Sequence, residues 1–141
     1  MNLREILSVK GRAVHTIGPR ATLADVVQKL VELNCGSLVV CDGDAMVGII
    51  TERDLLRTMA ARTNPLSDIV VEERMTREAL TAVPEDEVEE VMGLMTRHRI
   101  RHLPVLEDGK LAGIISIGDV VKAHHDRLCM ENEYLMHYIQ S

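Results

Sequence analysis

With 141 residues, 46% of them hydrophobic, the chain can bury one compact core or two small halves that share one. A net charge of −6 argues against a general nucleic-acid binder, whose affinity comes from neutralising phosphates. There is no Trp or Phe and only Tyr134 and Tyr138, so base stacking on aromatic platforms is excluded too, and a flat ligand must lie between aliphatic groups.

In chain order, Asn2 caps a short predicted helix to Ser8 with Leu3, Ile6 and Leu7 on one face, and Gly11 breaks it. Residues 13–17 read as a strand closed by Pro19. Thr22 caps a helix to about Leu33, with Leu23, Val26, Val27 and Leu30 at core spacing, and Asn34 and Gly36 end it. Residues 37–41 and 45–50 form a predicted hairpin around Asp42-Gly43-Asp44. Thr51 caps a helix over about 52–61. Residues 63–76 read as a linker with a short helix from about Ser67. The order then repeats: a strand over 79–83 closed by Pro84, a helix over 86–98, a hairpin of 102–106 with 110–115, and a helix from Ser116 to about Ile139.

The three cysteines, Cys35, Cys41 and Cys129, lack CxxC spacing, and Cys35 and Cys41 fall at strand-side core positions. Free thiols of this kind fit a reducing cytosol. The opening MNLREILSVKGR has no apolar signal region, and no run approaches the ~18 apolar residues of a membrane span. The expectation is a cytoplasmic protein with no membrane segment.

Residues 14–56 and 79–121 are the same pattern written twice without a gap. Each residue meets its counterpart 65 positions on: Thr16 meets Thr81, Pro19 meets Pro84, and Gly48-Ile49-Ile50 meets Gly113-Ile114-Ile115. Such self-similarity is the mark of a repeat architecture. The expected fold is α+β: tandem βαββα repeats packed sheet to sheet with pseudo-twofold symmetry, plus a long C-terminal helix. The expected divisions are 1–62 for the first repeat with its N-terminal helix, 63–78 for the linker, 79–123 for the second repeat and 124–141 for a helical extension.

After each apolar strand comes a polar signature, Gly48-Ile-Ile-Thr51-Glu-Arg53-Asp54 and Gly113-Ile-Ile-Ser116-Ile-Gly-Asp119. Read alone, a hydroxyl residue followed three positions later by a carboxylate is a capping box. A helix N-terminus at that point also offers free N–H groups and partial positive charge, which suit phosphate. With the run Arg99-Ile100-Arg101-His102-Leu103-Pro104-Val105, the duplicated signature resembles a CBS-domain pair, also called a Bateman module, over about residues 3–123.

That resemblance implies an adenosine-nucleotide ligand: AMP first, with ADP, ATP, NAD(H) and S-adenosylmethionine as alternatives. It implies that Asp54 and Asp119 accept hydrogen bonds from ribose hydroxyls beside Thr51 and Ser116. It puts Arg101 and His102 beside phosphate, where a guanidinium fork and a protonatable imidazole serve. Adenine is expected near Thr81, Ala82, Val83, Ile100 and Pro104, with Thr16 the matching position in the first repeat. There the counterparts of Arg101 and His102 are the small, neutral Gly36 and Ser37, so the two clefts are expected to be unequal, the first borrowing Arg53 if it needs a cation.

No nucleophile–base pair, Gly-rich phosphate loop or metal set is recognisable, so neither an enzyme nor a metal protein is expected. The reading is a regulatory sensor without an effector domain of its own, acting through conformation or association, with an unknown effector protein as a further partner. Its rival is a nucleotide-free dimerisation scaffold. Val121, Leu128, Leu135 and Ile139 form an apolar stripe on the last helix that must pack on something, and a homodimer is the expected assembly.

Overall fold

A computed structural model describes residues 1–61 and 64–140; the expected junction at 62/63 lies outside the described residues. Helix ends follow the capping signals. Asn2 and Thr22 close capping boxes with Glu5 and Asp25, starting α1 (Leu3–Lys10) and α2 (Leu23–Leu33). Asn34 ends α2 in the left-handed conformation at φ 51°, and its counterpart Arg99 ends α5 (Val88–His98) the same way at φ 54°. The remaining elements are β1 (Thr16–Ile17), β2 (Ser37–Asp42), β3 (Ala45–Thr51), α3 (Glu52–Ala60), a 3-10 turn (Leu66–Asp68), α4 (Val71–Arg74), β4 (His102–Glu107), β5 (Lys110–Ser116) and α6 (Ile117–Gln140).

The chain divides into two packing units. One holds 13–80 with the short stretch 108–111; the other holds 1–12, 81–107 and the chain from 112 onward. In the first, β1 runs parallel to β2 and β2 antiparallel to β3, with Thr16 opposite Val39 and Ser37 opposite Thr51. Its core is Leu23, Val26, Leu30, Leu38, Val40, Ile50 and Leu55, closed by Ile69, Val71 and Met75. In the second, β4 pairs with β5. There Val88, Val91, Met95, Leu103, Val105, Ile115 and Val120 pack with Leu3, Ile6 and Leu7.

Chain order and packing therefore divide the molecule differently. Helix α1, grouped by order with the first repeat, packs in the unit of the second. The linker helix α4 packs in the unit of the first. The two segments make matching bonds. Val71 N–H donates to Ala21 O and Glu72 N–H to Pro19 O; Leu3 N–H donates to Asp86 O and Arg4 N–H to Pro84 O. Each then fills the space over a signature glycine. A Cβ on Gly48 would sit 2.7 Å from Thr76 O and 2.9 Å from Met75 Sδ; one on Gly113 would sit 2.7 Å from Leu7 Cδ2.

The strand expected over Ala79–Val83 is not formed; it shrinks to a single parallel bridge between Ala82 and Val105. Ala82 N–H donates to Pro104 O at 2.9 Å and Leu106 N–H to Ala82 O at 2.8 Å. The next rung needs an N–H from residue 104, and proline has none. The counterpart Val39 supplies that bond in the first repeat, donating to His15 O at 3.1 Å, and β1 exists. Cys35 and Cys41 are half-buried and Cys129 exposed. Burial, helped by the Asp44 charge, pushes the Cys41 thiol above its ordinary pKa. No described helix is long and apolar enough to cross a membrane.

Candidate functional site

Each signature folds as a strand end running into a helix start, and a backbone bond ties the next strand to that turn. Ile117 N–H donates to Arg101 O at 2.8 Å, as Glu52 N–H donates to Gly36 O at 3.1 Å. The bond sets Arg101 and His102, at the entrance to β4, against the start of α6. Gly36 and Ser37 hold the same relation to α3. Arg101 is exposed and His102 half-buried, while Ser37 is buried. The strand entrance bonded to one helix start thus carries an arginine and a histidine, and the other carries two small neutral residues.

The carboxylates differ as well. In the first repeat, the Thr51 N–H donates to Asp54 Oδ2 at 2.9 Å and the Thr51 hydroxyl to the same oxygen at 3.3 Å. The Thr76 hydroxyl donates to Asp54 Oδ1 at 3.4 Å. Both oxygens are engaged inside the fold, and Asp54 is only 9% exposed. In the second repeat, Ser116 N–H donates to Asp119 Oδ2 at 2.8 Å and Asp119 N–H to Ser116 Oγ at 3.1 Å, a complete capping box. Lys10 Nζ, from the last turn of α1, donates to the same Oδ2 at 2.6 Å and to Ile114 O at 2.8 Å. Burial pushes the Asp119 carboxyl up, but the Lys10 and Ser116 hydrogen bonds and the ammonium's charge outweigh it. The group is held below the ordinary aspartate value.

Of the residues expected around adenine, Ala82 and Pro104 are buried and joined through the backbone, and Ile100 is half-buried. Thr81 and Val83 flank Ala82 and are exposed. No described hydrogen bond joins Thr81 or Val83 to Ser116 or Asp119. Thr16 lies half-buried on β1, and its carbonyl accepts from Lys29 Nζ. Arg53 is exposed in the first turn of α3.

Sequence reading missed Lys10 and Thr76. Neither belongs to the 65-residue repeat, and each reaches its carboxylate only because α1 and the linker pack where they do. The signal available beforehand was slight: a lysine closing an amphipathic helix and a threonine after a short one. Among the described residues, no three His, Cys, Asp or Glu side chains gather closely enough to hold a metal.

Comparison with known proteins bears on the family and the fold. A family model described as the CBS domain matches residues 4–61 and again 66–126. The mitochondrial CBS domain-containing protein CBSX3 of Arabidopsis thaliana is 39% identical over 126 residues, 81% of this chain and 60% of that protein. Two further curated relatives are spanned over 66% and 59% of their length. The crystal structure of the CBS-domain containing protein ATU1752 from Agrobacterium tumefaciens superposes with a TM-score of 0.84 at 38% identity, covering 88% of this chain and 99% of that one. The CBS domain protein PAE2072 from Pyrobaculum aerophilum, solved complexed with AMP, gives 0.74 at 28% identity, covering 84% of this chain and 89% of that one.

Proposed function

The chain belongs to the CBS domain family as a tandem pair, and from that premise we propose that it is a regulatory module whose second repeat binds an adenosine nucleotide, AMP in the first instance. The observation that carries the reading is the start of α6. An ionised carboxylate, a helix N-terminus and a basic strand entrance meet there, and they match the three chemical parts of a nucleotide's sugar-phosphate end. Asp119 accepts ribose hydroxyls. The first-turn N–H of Gly118, between the already bonded Ile117 and Asp119, and the Arg101 guanidinium receive phosphate. His102 adds charge when protonated. The AMP complex of the Pyrobaculum relative supports the ligand class.

The first repeat, with Gly36, Ser37 and an Asp54 whose two oxygens are both engaged within the fold, is the weaker site. Regulation through shape rather than turnover follows from a site built for holding. A ligand there shifts a conformational equilibrium by the difference in its affinity for two states. The exposed stripe of Val121, Leu128, Leu135 and Ile139 is the means of association, and a second copy of the chain is its proposed occupant.

The test is calorimetric titration of AMP and adenosine into wild type and Arg101→Ala, alongside mass spectrometry of small molecules released by denaturing the purified protein. Released adenosine nucleotide and a loss in Arg101→Ala confined to AMP support the reading. Equal losses for both ligands make Arg101 structural. An absence of binding by wild type favours the scaffold alternative.

A further inference from the structure

Helix α1 and the linker play matching parts, yet they deliver different chemistry. Leu7 lies over Gly113 as Met75 lies over Gly48. Beyond the first of these contacts comes an ammonium, Lys10, and beyond the second a hydroxyl, Thr76. The hydroxyl occupies Asp54 Oδ1, the oxygen that Thr51 leaves open, so the fold itself uses both sides of that carboxylate. The ammonium instead joins Ser116 N–H on Oδ2 of Asp119, and among the described residues no hydrogen bond goes to Oδ1. An ionised carboxylate offers about four lone-pair positions. Two are used on Asp119, and the two on Oδ1 are what a vicinal diol needs.

We propose that Lys10 is the positioning residue that makes Asp119, rather than Asp54, the diol-binding carboxylate of this chain. The inference rests on the nucleotide reading above and deepens it. Lys10 Nζ is itself anchored, because Ile114 O accepts a second of its three protons. The ammonium therefore fixes which oxygen faces inward and which is left for the ligand. It need not be displaced when a ribose arrives, since the two sets of bonds fall on different oxygens. The same contact ties α1 to the helix start where the ligand sits, so an occupied site holds α1 in place.

Calorimetry on the full chain separates positioning from general support. AMP and 2′,3′-dideoxy-AMP are titrated into wild type, Lys10→Met and Lys10→Arg, with thermal melts confirming that each variant is folded. Lys10→Met is expected to weaken AMP about tenfold. It should change the dideoxy ligand by no more than about twofold, because that ligand has no diol to lose. Lys10→Arg, which keeps the charge, should recover part of the loss. Equal weakening of both ligands overturns the proposal in favour of a purely structural helix contact. Tighter AMP binding in Lys10→Met overturns it in favour of competition between Lys10 and ligand. Unchanged AMP binding overturns it while leaving the nucleotide reading intact. If wild type binds neither ligand, the nucleotide reading falls and this inference falls with it.

Discussion

Replacing Gly48 and Gly113 by alanine should have unequal consequences, although the two residues occupy the same place in the repeated signature. The added Cβ meets an atom at 2.7 Å in both cases. At Gly48 that atom is the backbone oxygen of Thr76, which also accepts the Ile49 N–H at 3.0 Å, while Thr76 N–H donates to Ile49 O at 2.9 Å. Restoring ordinary contact at 3.4 Å means moving the carbonyl by about 0.7 Å, beyond hydrogen-bond reach of Ile49. One or two net hydrogen bonds at about 1 kcal/mol each are lost. About 1–2 kcal/mol of overpacking against Met75 adds to this. The removal of a strand glycine returns about 0.5–1 kcal/mol.

The net cost of Gly48→Ala is about 1–3.5 kcal/mol. At Gly113 the obstacle is the tip of the Leu7 side chain, which can turn, so Gly113→Ala should cost no more than about 1 kcal/mol. For a chain of this size each kcal/mol lowers the melting temperature by roughly 3–5 °C. Gly48→Ala should therefore melt about 3–18 °C below wild type, and further below it than Gly113→Ala, which should stay within about 5 °C, both followed by circular dichroism. Equal drops, or a larger one for Gly113→Ala, would refute the assignment of these glycines to close packing against unlike partners.

The Lys10–Asp119 pair should show in acid. The folded Asp119 carboxyl lies below its ordinary 3.8, so its stabilisation is complete above about pH 4 and is lost as pH falls through the folded value. The melting-temperature gap between wild type and Lys10→Met should narrow over that window, with Lys10 the charged group facing Asp119 from α1; a gap that stays constant with pH contradicts the pairing. Cutting the chain after Ala123 removes Leu128, Leu135 and Ile139, each at least half exposed, and keeps the buried Val120. Light scattering should show a homodimer for the full chain and weaker association after the cut, with AMP affinity preserved. A monomeric full chain at tens of micromolar, or loss of AMP binding with the tail, goes against this use of the stripe.

Much of the local structure was legible because it is written locally. Thr22 with Asp25, and Asn34 at the end of α2, mark one helix from both ends, and the Asp42-Gly43-Asp44 turn marks its hairpin. The duplication made the second repeat readable from the first and paired Gly36 with Arg101, whose carbonyls accept matching bonds. The same duplication misled at Ala79–Val83, where similarity to β1 hid the effect of one residue, Pro104, on the facing strand. It also could not reveal that α1 and the linker occupy matching places, because their contacts depend on tertiary packing and lie outside the repeat. Lys10 and Thr76 went unread for that reason. So did the difference between Asp54 and Asp119, which is a difference between their neighbours and not between the signatures themselves.

A crystal structure of the chain grown with AMP would show directly which carboxylate holds the ribose. The nucleotide should lie at the second repeat, with ribose hydroxyls within hydrogen-bond distance of Asp119 Oδ1, phosphate near Arg101 and the start of α6, and the Lys10–Asp119 contact preserved. A nucleotide whose ribose lies away from Asp119, or one bound at the first repeat through Asp54, would contradict it.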